Sequence, residues 1–425
     1  MTLPNPHDPY AGNILTEHLG PILSRAETLA RLTFLPTPPG NMDGVPKHIR
    51  LHMLPSLRDL HVPSLEGARA AETIDLMTRQ GYRYRDPVRA STWSMVANAS
   101  NRRLFPAPAM SAAMVGHSGV GKTMATKRRL SLYPSQVITH PTFPKLVGPH
   151  YQVVWLSADV PPSGRAADLA ANLMSAMDEA FARYLPDRPP RFAVALARGR
   201  RNGSQMLDEW MQVAKGHFLG VLHLDEIQNF FKVPTLEQRS RRKVDSILEL
   251  SLIEDQALKS IITFTNTAQI PLVISGTPDG ISALSKRLSN VQRFVTCGYH
   301  KMEPFQSAED KAFEFFVDQL ARYQFVLKPI TVDRELRCIV FQLTAGIQRL
   351  IVCLWIAAHR VAFERKVDDL RIDDFKRAAG TLLAPVAPAV AALLSKDPRQ
   401  MARYEDLMPR DEGFWSSFWS RSASS

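Results

Sequence analysis

The stretch Ala112-Ala113-Met114-Val115-Gly116-His117-Ser118-Gly119-Val120-Gly121-Lys122-Thr123-Met124 decides the fold. An apolar, strand-like run enters GxxxxGK[ST], complete at every fixed position, and a helical run follows it. Glycines let the backbone wrap phosphates, so that amides and the N-terminus of the next helix face negative charge. Gly116 to Met124 are therefore the expected nucleotide-binding residues. Within them Lys122 is expected to reach the β and γ phosphates, and the Thr123 hydroxyl to ligate Mg²⁺. A glycine-rich turn matching by chance is the competing reading, and the strand and helix flanks weigh against it.

About a hundred residues later, Val221-Leu222-His223-Leu224-Asp225-Glu226 is an apolar run ending in an acidic pair. After a complete phosphate loop this is the Walker B pattern. Asp225 is expected to hold Mg²⁺ through its water shell and Glu226 to polarise the attacking water. A solvated acidic pair at a strand end is the plainer alternative. His223 interrupts the apolar run and reads as packed or hydrogen-bonded rather than catalytic.

Working outward, short apolar runs recur near 112–116, 153–158, 219–224, 272–275 and 293–296, with helical texture between them. That is the pattern of a parallel sheet covered on both faces. From about Pro304 strand signals stop. There Ile347, Leu350, Ile351, Leu354, Trp355 and Ala358 form one helical face. No LSGGQ-like or NKxD signature is present. A separate Asp-Glu on the third strand, with a helical region after the fifth, points to an α/β AAA+ P-loop NTPase using ATP. Its expected parts are an irregular arm at 1–65, a helical linker at 66–109, a five-stranded core at 110–303, a helical lid at 304–385 and a tail at 386–425. Short helices are expected near 22–32 and 67–80, with the turn-rich GYRYRDP (Gly81 to Pro87) after the second.

The remaining roles of such a site fall on particular positions. Ile274-Ser275-Gly276-Thr277 places a small polar group near the γ-phosphate, with Thr277 the sensor-one candidate and Ser275 the alternative. Arg287 and Arg293 are the candidates for an arginine inserted into a neighbouring subunit's site, where it would neutralise transition-state charge. In Gly346-Ile347-Gln348-Arg349, Arg349 lies off the apolar helix face and is the sensor-two candidate.

A net charge of +11 favours a polyanionic partner. Cys297, Cys338 and Cys353 are widely spaced and read as buried thiols in a reducing compartment. The N-terminus lacks the pattern of a secretion signal, and the apolar run 381–395 is too short to span a bilayer. A cytoplasmic protein with no membrane partner is the expectation.

The phosphate loop, the strand VVWLSADVP (153–161), HLDEIQNF (223–230) and PLVISGTPDG (271–280) together resemble TnsC and TniB. These are AAA+ regulators of DNA transposition, with MuB a more distant relative. GYRYRDP resembles a Gly-Tyr…Arg-Asn-Pro stretch of the same proteins, with Asp86 in place of Asn, and the resemblance covers about residues 65–365. It implies homo-oligomers that assemble with ATP on double-stranded DNA, receive a target-selection protein's signal, recruit transposase subunits and disassemble on hydrolysis. The alternatives are a replication initiator or loader, and an ATP-binding adaptor without significant hydrolysis.

On that view Arg239, Arg241, Arg242 and Lys243 are candidate contacts to the DNA backbone, against the plain reading of a solvated charge run. Arg188, Arg191, Arg198, Arg200 and Arg201 form a second basic stretch, more readily read as solvated. Two aromatic pairs, Phe414-Trp415 and Phe418-Trp419, suit either docking into a partner groove or packing on the chain's own helices.

Overall fold

The computed structural model describes residues 7–97, 108–198, 202–232, 251–252, 255–278, 280–281 and 295–401. Its main strands are β1 (Ser111–Val115), β2 (Val137–His140), β3 (His150–Val153), β4 (Trp155–Asp159), β5 (Val221–Asp225), β6 (Leu272–Gly276) and β7 (Gly298–Lys301). Five of these form one parallel sheet in the order β4-β5-β6-β1-β7, while β2 and β3 form an antiparallel hairpin. Strand order reverses at β1, which lies between β6 and β7. An open parallel sheet leaves a crevice at the carboxyl ends of its strands beside such a reversal. The phosphate loop follows β1.

The longer helices are α1 (Leu65–Tyr84), α2 (Lys122–Ser131), α3 (Ala166–Tyr184), α4 (Gly203–Gly216), α5 (Asp255–Asn266), α6 (Lys311–Ala321), α7 (Arg334–Thr344), α8 (Gln348–Phe363) and α9 (Ile372–Gly380). Strands β1, β5 and β6 are buried along their whole length because helices cover both faces. On one face Leu169, Leu173 and Met177 of α3, Trp210 of α4 and Phe264 of α5 pack with Leu222, Leu224 and Leu272. On the other, Ala70, Ile74 and Met77 of α1 and Ala125 and Leu130 of α2 pack with Met114, Val221 and Val273. Helices α6 to α9 form a second cluster around Trp355, whose indole N–H donates to the Tyr323 carbonyl at 2.8 Å. The expected face of Ile347, Leu350, Ile351, Leu354, Trp355 and Ala358 is buried throughout.

Several local expectations shift. The fifth sheet strand begins at Gly298, not near residue 293; it is an edge strand of sequence GYHK, half exposed, and so lacks the apolar run that marks its neighbours. The strand read over 153–158 breaks at Val154, with His150–Val153 turning away into the hairpin. Helix α1 runs four residues past Gln80. Gly81 makes this possible, since a Cβ there would lie 2.6 Å from Pro271 Cγ. Arg85 is consequently buried, donating to the Leu219 carbonyl at 2.8 Å.

The helix near residue 22 starts at Arg25, where Ser24 and Glu27 form a capping box. The three cysteines are free and half-buried rather than buried. In the second basic stretch Arg188 stacks on the rings of Phe181 and Tyr151, and residues 193–197 are helical. Arg200 and Arg201 lie outside the described residues, as do both aromatic pairs of the tail. Among the described residues no single helix is long and apolar enough to cross a membrane.

Candidate functional site

The phosphate loop is anchored where β1 ends. The Gly116 amide donates to the Gly276 carbonyl at 3.3 Å, tying the loop to β6. Gly119 and Gly121 have φ of +85° and +97°, a backbone open to glycine and costly to other residues. The Lys122 ammonium turns back over the loop and donates to the carbonyls of Gly116 (2.7 Å) and His117 (3.0 Å). It thus stands over the concavity that a phosphate would fill, with α2 starting beneath it. Met124 is exposed.

Opposite the loop, β5 delivers the acidic pair. The Thr123 hydroxyl donates to Asp225 Oδ2 at 2.5 Å, Ser275 Oγ donates to Oδ1 at 2.5 Å, and the Glu226 amide donates to Oδ1 at 2.9 Å. Burial acts to raise the Asp225 pKa, but His223 and these three donors outweigh it and hold the group below the ordinary carboxylate range. Asp225 is therefore a carboxylate beside a hydroxyl. That is a pair of hard oxygen donors of the kind Mg²⁺ takes, alongside phosphate oxygens and water. The residues fit the metal and the nucleotide.

Glu226 adopts the left-handed region, with φ +56°, which swings its side chain out of the strand's alternation. Gln228 Nε2 donates to Glu226 Oε2, and Gln228 Oε1 accepts from the Thr277 amide at 3.2 Å. One side chain thereby fixes the acid against the end of β6, and Gly276 leaves room for it.

Behind Asp225 lies a row on the α2 face of the sheet. Ser157 of β4 sits 2.9 Å from His223 Nδ1, and His223 Nε2 sits 2.8 Å from Ser275 Oγ. Register places Ser157 directly beside His223. Burial lowers the His223 pKa and so favours the neutral ring, against the pull of Asp225. A carboxylate only accepts, so Ser275 gives its proton to Asp225 and must accept from His223 Nε2–H. That leaves Nδ1 to accept from the Ser157 hydroxyl.

The helical region closes the far side of the loop. The Arg349 amide, in the first turn of α8, donates to the Gly119 carbonyl at 3.1 Å, and Arg349 Nη1 lies 3.5 Å from Ser118 Oγ. The loop thus lies between the N-termini of α2 and α8, both favourable for an anion. Lys122, Thr123, Asp225, Glu226, Thr277 and Arg349 are gathered at this one crevice. Arg287 and Arg293, and Arg239, Arg241, Arg242 and Lys243, lie outside the described residues. Gln228 and Ser157 were not singled out by sequence reasoning. The signal for Gln228 is its place two residues beyond Glu226, in the helical turn that follows the acid.

The fold and site define the class: an α/β AAA+ P-loop fold with a five-stranded parallel sheet and a C-terminal helical region. Residues 107–284 match the family described as an AAA domain. Comparison with curated proteins gives no match. Among solved structures, the chain is similar to the Aeropyrum pernix ORC1 protein in complex with DNA, at 14% identity and TM-score 0.42. That alignment covers 67% of this chain and 62% of the other, so the chain spans less than two thirds of that protein. It is also similar to the Aeropyrum pernix ORC2 protein (ADPNP–ADP complexes; 13% identity, TM-score 0.37), over 78% of this chain and 84% of that one. The Thermotoga maritima RuvB Holliday junction branch migration motor aligns at 14% identity and TM-score 0.34, over 73% and 81%.

Proposed function

We propose that this chain binds and hydrolyses Mg²⁺–ATP and uses the cycle to switch its own assembly on duplex DNA. The observation that carries the reading is the convergence at one crevice of Lys122, the Thr123–Asp225 pair and the Gln228-held Glu226. Lys122 and the loop amides bind the phosphates, Thr123 and Asp225 hold the metal, and Glu226 orients and deprotonates the attacking water. Thr277 and Arg349 line the same space. Bound Mg²⁺ supplies neutralisation of phosphate charge. Arg287 or Arg293 of a neighbouring copy would complete the site. The charge of +11, with Arg239, Arg241, Arg242 and Lys243, would hold the DNA backbone in a sequence-independent way.

Two settings use such a switch, and they differ in the partner. Regulation of transposition rests on the resemblance of the 153–161, 223–230 and 271–280 segments to TnsC and TniB. A replication initiator or loader would call on the same nucleotide chemistry at the site. The decisive experiment measures ATP hydrolysis and retention on duplex DNA for the wild type, Lys122→Ala and Glu226→Gln. Lys122→Ala is expected to lose assembly, and Glu226→Gln to bind ATP and stay trapped on DNA. Wild-type hydrolysis by Glu226→Gln would sink the reading. Stimulation of transposase strand transfer, against loading of a helicase, separates the two settings.

A further inference from the structure

The row behind Asp225 does not end inside the protein. Ser157 lies on the edge strand β4 and lines an open, groove-like cavity of 480 Å³ between α2 and α3. Lys127 and Arg128 of α2 and Arg183 of α3 also line it, with Glu179 its one acidic residue and Trp155 on its wall. Lys127 and Arg183 are exposed, whereas Arg128 is half-buried. Arg183 reaches only Gln136, at 3.5 Å. Arg128 is held by the Asp59 carbonyl and the Phe34 ring, and its Nε is buried with no hydrogen-bond partner among the described residues. An open groove flanked by two exposed cations, Lys127 and Arg183, with Arg128 at its side, is suited to a polyvalent oxyanion.

An oxyanion there would also meet Ser157. That hydroxyl has one proton, which His223 Nδ1, 2.9 Å away, accepts when the ring is neutral. A phosphate oxygen within reach of Ser157 Oγ and the His223 ring 2.9 Å away then compete for a single donor. If the ligand takes it, His223 loses the partner that fixes its tautomer and ring. Ser275 and the Asp225 carboxylate, next in the row, then lose their fixed orientation.

We propose that this cavity binds a phosphate group, and that its occupancy weakens the Mg²⁺–nucleotide site by drawing the Ser157 hydroxyl away from His223. The second half rests on the nucleotide reading above; the first does not. Because coupling between sites is reciprocal, nucleotide would equally weaken the cavity ligand. The phosphate could be that of a small pyrophosphate-bearing molecule or of a nucleic-acid backbone, and the test distinguishes them.

Full-length Lys122→Ala protein, with its loop silenced, is titrated calorimetrically with pyrophosphate and separately with a short oligothymidylate lacking terminal phosphates. Saturable binding of either probe that falls severalfold in a Lys127→Glu/Arg183→Glu background supports the cavity, and the probe that binds names the source. No binding by either, or equal binding after charge reversal, overturns it. In a second arm with Lys122 intact, the probe should lower the affinity for a fluorescent ATP analogue severalfold beyond its effect on the charge-reversed protein, which reports competition at the loop alone. Ser157→Ala should still bind the probe yet lose that excess. An undiminished excess in Ser157→Ala overturns the relay. Absence of analogue binding by the intact-loop protein would sink the nucleotide reading and the coupling with it, while the first arm would still decide the cavity.

Discussion

At the scale of single residues, the site separates holding a group from aiming it. Glu226 has the chemistry, yet its direction is set by a left-handed backbone and by Gln228, which grips both its carboxylate and the Thr277 amide. Removing the carboxylate in Glu226→Gln should lower kcat by about 10²- to 10⁴-fold, the usual worth of a positioned proton acceptor. Gln228→Leu keeps the acid and loosens its aim, and misplacement of a reacting group by an ångström costs on the order of 10²-fold. The expected result for Gln228→Leu is a fall in kcat with KM for ATP nearly unchanged, measured by steady-state hydrolysis. A rise in KM at constant kcat would instead put Gln228 in nucleotide binding. Gly116 is constrained differently: a Cβ there would lie 2.3 Å from the Met302 backbone carbonyl. Gly116→Ala must therefore push β7's exit away from the loop, and it should lower both the thermal midpoint and nucleotide affinity. An unchanged melting curve would show that the junction yields without cost.

At the scale of elements, legibility followed burial. Strands β1, β5 and β6 are covered on both faces, so each is a continuous apolar run and each could be read directly. Strand β7 sits at an edge with Tyr299 exposed, and β2 and β3 form a hairpin off the main sheet, so neither carried a distinctive period. The loop lysine, threonine and acidic pair were legible because their chemistry demands those residue types at fixed spacing. Ser157 and Ser275 were harder to place, since their meeting with His223 depends on register across three strands, which no local spacing encodes. The docking of α8 on the loop was legible only as a residue, Arg349, and not as a contact. It depends on Gly346, which turns at φ +70° against the Phe305 carbonyl, 2.3 Å from where a Cβ would sit. Gly346→Ala would add a strained turn, worth ~1–3 kcal/mol, at the start of α8. It should shift that helix off the loop and weaken nucleotide binding while leaving the sheet's hydrogen exchange unaltered. Wild-type affinity for a fluorescent ATP analogue in Gly346→Ala would mean that α8 does not help form the site.

At the scale of the molecule, residues 7–60 join the two hydrophobic clusters. Leu15 and Leu19 pack with the sheet, whereas Met42, Leu54, Leu57 and Leu60 pack with the helical region. The junction is fixed by Arg50, which is 3% exposed, donates to the Phe325 carbonyl at 2.7 Å and pairs with Asp368. Because the loop lies between sheet and helical region, a change in this brace should reach the nucleotide. Arg50→Ala strands the half-buried Asp368 carboxylate, and leaving such a group without its partner costs about 1–3 kcal/mol. The consequence should depend on pH in a defined direction. Burial alone would raise the Asp368 pKa, but hydrogen bonds from Arg50 and the Leu327 amide outweigh it, leaving the group below its ordinary value of 3.8. A carboxyl depressed on folding contributes stability that is complete above that value and is lost as pH falls through the folded pKa. Thermal midpoints of wild type and Arg50→Ala should therefore differ by a constant amount at neutral and mildly acidic pH, and should converge as pH drops below 3.8. Parallel curves down to the acid limit would show that Arg50 acts through its contact with the Phe363 ring and the Phe325 carbonyl, and not through its charge.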